Sequence, residues 1–197
     1  VPYIHSQQKP EIGLLSGGLI QASMFWGANV GKACSLTGLP GLTSFYDIGT
    51  PLVDRCLAEG IPCAVALVDI DHFHRVTVLH CQEVADKVLQ AIAVHLRAMD
   101  GGHIVARLSE EEFGLLLIGL DDEAAALLCE DLRQAIASTA IVADEAKLSV
   151  TVSIGVAEVH GPETFDNYLN AAEQFLFMAK NNGRNQVFSD HLIAAMV

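Results

Sequence analysis

Positive charge is what this chain has least of. Its 197 residues carry 11 Lys and Arg against 24 Asp and Glu, a formal net charge of −13. A nucleic-acid backbone demands a basic surface, so DNA and RNA are set aside as main partners. A small phosphorylated ligand held by a few local cations is not. The five cysteines, Cys34, Cys56, Cys63, Cys81 and Cys129, include no C-x-x-C pair, and their number is odd. Free thiols in a reducing compartment follow, and a cytoplasmic location is expected. His72, His74 and His80 crowd one region but lack zinc spacing and a cysteine pair to complete a site. No internal repeat and no low-complexity linker interrupts the chain. What is abundant is apolar: 51% of residues, enough for one compact domain with a full core and an appendage. The chain starts at Val1, and a piece of a longer protein is expected.

Charge is also absent from residues 12–31, a run of 20 residues that would reach across a bilayer. Gly13 and Gly17, then Gly27 and Gly31, stand at the small-xxx-small spacing of packed membrane helices. Ser16, Gln21, Ser23 and Asn29 dilute the run, five glycines weaken a helix there, and no basic n-region of a secretory signal precedes it. A packing or dimerising segment is the favoured reading, with Phe25 and Trp26 as packing residues. The cytoplasmic part of a membrane-associated protein is the other. Residues 1–35 are accordingly read as an N-terminal helical, linker or dimerisation segment, and 36–197 as the domain.

Within that domain, short apolar runs alternate with amphipathic stretches. Residues 63–68 are an unbroken apolar strand ending at Asp69. Val84, Val88, Ile92 and Leu96 repeat every four residues, so 82–98 reads as a helix. Residues 103–108 and 113–118 read as strands around an acidic turn. Asp121 and Asp122 open a helix with Leu128, Leu132 and Ile136 inward. Residues 148–156 read as a strand, 163–180 as a helix stopped by Gly183, and 186–188 as a short last strand. Thr50 and Pro51 look like the cap and first residue of an earlier helix. The order is βαββαβ, then α and β: an α/β (α+β) fold of ferredoxin-like, palm type, its sheet flanked by helices.

In this order the first and third strands are neighbours. Asp69 and Asp71, at the end of one, are therefore expected beside Glu110, Glu111 and Glu112 at the turn. Clustered carboxylates are unfavourable unless protonated or bridged by a cation. Hard oxygen donors at a strand end suit Mg2+, which binds few carboxylates and leaves room for phosphates. Two such ions would permit phosphoryl or nucleotidyl transfer. From spacing alone, a solvated acidic turn explains the same residues.

Six segments, in order, resemble the GGDEF family of diguanylate cyclases. They are Leu36-Thr37-Gly38-Leu39-Pro40; Asp69-Ile70-Asp71-His72-Phe73; Arg107-Leu108 with Glu111-Glu112-Phe113; Val152-Ser153-Ile154-Gly155-Val156-Ala157; Ala179-Lys180; and Gly183-Arg184-Asn185. The resemblance implies a nucleotidyl-cyclase-like palm. It implies that Asp69, the Ile70 carbonyl, Glu111 and Glu112 hold Mg2+ against a GTP triphosphate, Glu112 being the residue essential for catalysis. It implies that backbone amides of His72, Phe73 and His74 face the phosphates and that Lys180 and Arg184 grip them. Thr77 and Asp86 fall where the family contacts guanine. Arg97 and Asp100 match in letters an R-x-x-D site for the product, cyclic di-GMP, though Gly101, Gly102 and His103 lengthen the connection to the next strand.

Departures are as marked as matches. The signature loop reads Ser109-Glu110-Glu111-Glu112-Phe113, so the two glycines are gone. Glycine lets a backbone approach a ligand closely, whereas Glu110 brings a side chain and a negative charge. Thr77 replaces an asparagine, His74 a lysine and Cys34 an aspartate, and Gly41-Leu42-Thr43 replaces Asn-Arg-Arg. The expectation is a degenerate GGDEF domain in cyclic di-GMP signalling, binding a guanine nucleotide or cyclic di-GMP with impaired turnover. Its partner is a second copy or regulatory domains of the same polypeptide. An active cyclase working as a head-to-head homodimer, or a purely structural interaction domain, are the alternatives.

Overall fold

The computed structural model describes residues 33–99, 102–143 and 146–194. The uncharged stretch 12–31 and Asp100 lie outside the described residues. No helix among those described is long and apolar enough to cross a membrane.

Strand β1 (Cys63–Ile70) is buried along its whole length. The unbroken apolar run is explained by helices on both faces of the sheet. β1 pairs antiparallel with β3 (Glu112–Ile118) on one side and with β6 (Val152–Glu158) on the other. β2 (Ile104–Arg107) lies outside β3, and β7 (Val187–Phe188) runs parallel to β6 at the far edge. The sheet order is β2-β3-β1-β6-β7. The expected βαββαβ order and the adjacency of first and third strands are both found.

Alternation along β1 divides the core in two. Ala64, Ala66, Val68 and Ile70 pack with Val84, Val88 and Ile92 of α3 (Gln82–Arg97) and with Cys129, Leu132 and Ile136 of α4 (Asp122–Ser138). Cys63, Val65 and Leu67 pack with Phe45, Ile48 and Leu52 of α1 (Leu42–Glu59) and with Leu169, Ala172 and Leu176 of α5 (Phe165–Asn181). The Asp121 carboxylate caps α4 by accepting from the Ala124 amide, and the Thr164 hydroxyl caps α5 by accepting from the Asn167 amide. The short α2 (Phe73–Leu79) follows β1 directly, and α6 (Asp190–Ala194) follows β7.

Three expectations need correction. The first helix does not start at Thr50; it starts at Leu42 and carries Pro51 inside it. An interior proline costs a backbone hydrogen bond. Here Asp47, which loses its amide partner, and Pro51 are both exposed, so water takes over. Phe45, Ile48, Leu52 and Val53 on the other face hold the helix together. The strand expected over 148–156 is two elements: β5 (Ala146–Leu148) pairs with β4 (Ile141–Ala143) in a separate hairpin, and β6 begins at Val152. Buried Val150 fills the core from the connection between them, which gave the stretch its strand-like alternation. The seven residues of α2 were not foreseen, being too few for a helical period to show.

α5 lies very close on β6. A Cβ on Gly155 would run into the Ala172 carbonyl and the Leu176 amide, both backbone. Gly155→Ala must therefore push helix and sheet apart. Overpacking typically costs 1–3 kcal/mol, and with backbone on both sides about 3 kcal/mol or more is expected in urea unfolding.

Candidate functional site

The strand register builds the centre of the site. Asp69, one residue before β1 ends, sits opposite Glu112 of β3 and Ser153 of β6. From the last turn of α5, Lys180 places its Nζ 2.9 Å from the Asp69 Oδ2. Burial pushes the Asp69 carboxyl above the usual carboxylate range and neighbouring Asp71 adds to the rise, while Lys180 and Arg184 oppose it. Burial also raises Glu112, followed by the charge of Asp69; Glu173 and Glu111 push the same way, and Lys180 opposes them. Glu111 is raised by burial, then by Asp69, with Glu110 adding to it and Lys180 and His74 opposing.

Arg107 organises the signature loop. Its Nε donates to the Ser109 carbonyl at 3.0 Å and its Nη2 to the Glu110 carbonyl at 2.8 Å. The Leu108 and Ser109 amides close the turn on the Glu112 carbonyl at 2.8 and 3.3 Å. Glu110 is exposed, and its charge reaches Glu111. The third donor of Arg107, Nη1, points at the Cys34 Sγ, 3.4 Å away. Burial raises the Cys34 thiol, but hydrogen bonds from Thr37, Arg107 and the Leu36 backbone outweigh it and bring its pKa down to about 6. The lowered value favours the thiolate at Cys34, facing Arg107.

Asp71 does not join the acidic cluster, contrary to expectation. It lies just past the end of β1 and is 6% exposed. There it accepts from Thr151 Oγ1 at 2.7 Å, Ser153 Oγ at 2.6 Å and the Asn185 amide at 2.9 Å. The Asn185 side chain accepts from Arg133 Nη1 of α4 at 2.6 Å, and Arg133 is paired in turn with Glu130. These bonds hold Arg184 and Asn185 at φ of 65° and 48°, a conformation uncommon for residues with side chains. The loop carrying Arg184 is therefore fixed from two directions. Sequence reasoning did not find this network, because its bonds to Asp71 and Asn185 span 52 to 114 positions.

Of the other expected residues, His72, at φ 58°, precedes α2; His72 and His74 are exposed and Phe73 is buried. Ile70 is buried, its amide bonded to the Glu111 carbonyl at 3.1 Å. The Thr77 hydroxyl donates to the His74 carbonyl at 2.9 Å, and the Asp86 carboxylate accepts from Gln82 Nε2 at 2.8 Å. Arg97 turns to the loop before α1, where its Nη1 donates to the Thr37 carbonyl at 2.7 Å. Its R-x-x-D companion, Asp100, lies outside the described residues.

Among the described residues no three His, Cys, Asp or Glu side chains are arranged to hold a metal ion unaided. The donor set nonetheless suits a hard divalent cation that completes its shell with ligand oxygens. Asp69 and Glu112 are opposed carboxylates, and both are raised by burial first and by neighbouring carboxylates second.

Comparisons with known proteins agree with this geometry. A family model described as "Diguanylate cyclase, GGDEF domain" matches residues 34–186. Diguanylate cyclase DgcP of Pseudomonas aeruginosa is 35% identical over 153 residues, covering 77% of this chain and 23% of that protein. Cyclic di-GMP phosphodiesterase NbdA of the same organism is 30% identical over 163 residues, covering 81% and 21%. The crystal structure of the GGDEF domain of DgcB from Caulobacter crescentus, in complex with c-di-GMP, superimposes with a TM-score of 0.76 at 25% identity, covering 80% of this chain and 94% of that one. The chain spans less than two fifths of the length of the curated relatives it matches.

Two outcomes follow from the titrating groups. An acid whose pKa is raised by folding binds more protons folded than unfolded, so its contribution to stability falls as pH rises past the ordinary carboxylate value of about 4. Without divalent cations the domain should lose stability over that rise, and Glu112→Gln should flatten the loss and raise the melting temperature at pH 7. An unchanged melting profile in Glu112→Gln would show that the crowding is relieved in solution. Alkylation of Cys34 by iodoacetamide should titrate near pH 6, and in Arg107→Ala its midpoint should move toward the ordinary thiol value of about 8.5.

Proposed function

This chain belongs to the diguanylate cyclase GGDEF family, and we propose that within it the chain is a degenerate member. In this reading it acts in cyclic di-GMP signalling, binding a guanine nucleotide or cyclic di-GMP while turnover is impaired. Asp69, the Ile70 carbonyl, Glu111 and Glu112 would hold Mg2+ together with ligand phosphates. Bound there, Mg2+ would neutralise phosphate charge and polarise the hydroxyl that attacks. Lys180 and Arg184 would grip the outer phosphates, with the amides of His72, Phe73 and His74 beside them. A second copy, or regulatory domains of the same polypeptide, would receive the signal.

One observation carries the impaired half of the proposal. Glu110 stands where the family has glycine, and its charge is felt by Glu111, which Asp69 already burdens. A polyphosphate approaching this loop would meet that charge as well. At about 4 Å a like charge costs roughly 1 kcal/mol in water and about 4 at an effective dielectric of 20. The guanine contacts are weakened too, since the Thr77 hydroxyl is spent on the His74 carbonyl. The retained half rests on the Asp69–Glu112 opposition and on Lys180. Arg97, to serve a product site with Asp100, would have to exchange the Thr37 carbonyl for the ligand.

Calorimetric titration with GTP, a non-hydrolysable analogue and cyclic di-GMP, with and without Mg2+, tests the reading. Binding of GTP that needs Mg2+, with no cyclic product from the native chain, is expected. Replacing Ser109 and Glu110 by glycine should make cyclic product detectable, because the added charge at the loop is lifted. Product formed by the native chain and abolished in Glu112→Ala would make it an active cyclase. No binding of any ligand would leave a structural role. Cyclic di-GMP binding that survives Arg97→Ala unchanged would remove the Arg97 site.

A further inference from the structure

Two of the five cysteines meet. Cys56 lies in the last turn of α1, and Cys63 is the first residue of β1. The chain reverses tightly between them: Gly60 adopts φ 65°, and the Ile61 amide donates to the Cys56 carbonyl at 2.9 Å. The sheet then fixes Cys63 opposite Ile118, with its carbonyl accepting from the Val159 amide at 2.8 Å. Both side chains belong to the core on the α1–α5 face, each 0% exposed. There the two thiols hydrogen-bond to each other. Cys34, Cys81 and Cys129 lie on other segments.

A buried cysteine is ordinarily a small apolar side chain. A second thiol aimed at it adds chemistry that packing does not require. The contact makes the two sulfurs unequal. The hydrogen bond from Cys63 holds the Cys56 thiol below its ordinary value, against burial and Glu59, with Arg55 assisting. The same bond, together with burial, pushes the Cys63 thiol up. Cys56 is therefore the better nucleophile and Cys63 the proton donor, as in an attacking and a resolving thiol. Little shields the pair. Residues 58–60 and Pro62 are exposed, and a helix end is where local opening costs least. Such opening admits a molecule as small as hydrogen peroxide.

We propose that Cys56 and Cys63 are a disulfide site, oxidised by a hydroperoxide, that staples the end of α1 to the start of β1. The Cys56 sulfur attacks one peroxide oxygen, the O–O bond breaks, and a sulfenic acid and one water form. The Cys63 sulfur then attacks the Cys56 sulfur, the S–O bond breaks, and the hydroxyl leaves with the Cys63 proton as a second water. Two electrons pass from the two thiols to the peroxide. Cellular thiols reverse the bridge by exchange, so in a reducing compartment it is transient. Cys63 and Asp69 stand near opposite ends of β1, so the staple is separate from the acidic centre.

Trypsin leaves both cysteines in one peptide, Cys56 to Arg75, which contains no other cysteine. The folded native chain is treated with hydrogen peroxide, unfolded in iodoacetamide and mapped by mass. The peptide is expected to be lighter by two hydrogens and unalkylated, and to take two alkyl groups when dithiothreitol is added first. The closed loop is short, so the oxidised chain should melt about 5 °C above the reduced one. In Cys63→Ala the sulfenic acid at Cys56 has no resolving thiol, and dimedone should trap it there. Two alkylated thiols in the peptide, after treatment that oxidises exposed Cys81, overturn the proposal. So does a bridge from either residue to another cysteine, or a bridge that forms only in urea. A bridged chain that melts below the reduced one also overturns it, because the bridge would then be made by distorting the fold.

Discussion

One ion pair joins the parts of this site: Lys180 of α5 to Asp69 of β1, 2.9 Å apart. It is the point at which the last turn of a helix meets the end of the central strand. In stability terms such a half-hidden pair is weak, because desolvation cancels much of the Coulomb gain. Removing one partner is a different matter. Without Lys180, Asp69 would be left beside Glu112 and Glu111 with the more distant Arg184 as its counter-charge. The pair is thus less a brace for the fold than the condition under which several carboxylates can share one strand end. It also sets a competition, since a divalent cation at Asp69 would have to share the carboxylate with Lys180 or displace it.

That strand end is positioned by steric fit. Gly155 lets α5 lie against β6 with no side chain between, and this closeness brings Lys180 within reach of β1. On the other side of Asp69, Asp71 turns away from the cluster into Thr151, Ser153 and the Asn185 amide. Two aspartates two residues apart therefore have opposite tasks. Asp69 stays at the acidic centre paired with Lys180, while Asp71 spends its charge on fixing the loop that carries Arg184. Arg133, anchored to Glu130, holds the same loop from α4. Two left-handed residues in succession persist because their surroundings over-determine them.

What could be read from the sequence follows the range of the interactions. β1 was legible because full burial leaves an unbroken apolar run, and α3 because its inner face repeats every four residues. Asp69, Glu112 and Lys180 were named through a resemblance and brought together by the register and packing observed here. The start of α1 was misread because Thr50 and Pro51 imitate a helix beginning, and only packing across the sheet shows that the helix passes through them. The β4–β5 hairpin was missed because three-residue strands carry no period. Arg107 belongs to a matching segment but shows no task in the sequence, since its three partners become visible only once the turn is folded.

The two replacements nearest that arginine pull in opposite directions. Cys34 stands where the resemblance puts an aspartate, yet its thiol is held near pKa 6 and so faces Arg107 as an anion. The charge at that position is kept while the chemistry of the atom changes. Glu110 stands where the resemblance puts glycine, and there a charge is added beside Glu111. Arg107 binds the Glu110 carbonyl and so fixes the backbone of the loop, but the side chain remains exposed. The backbone of the loop is therefore held in place while a further carboxylate joins Glu111 and Glu112. A backbone held by Arg107 with an acid added beside Glu111 is what the proposed degenerate reading rests on.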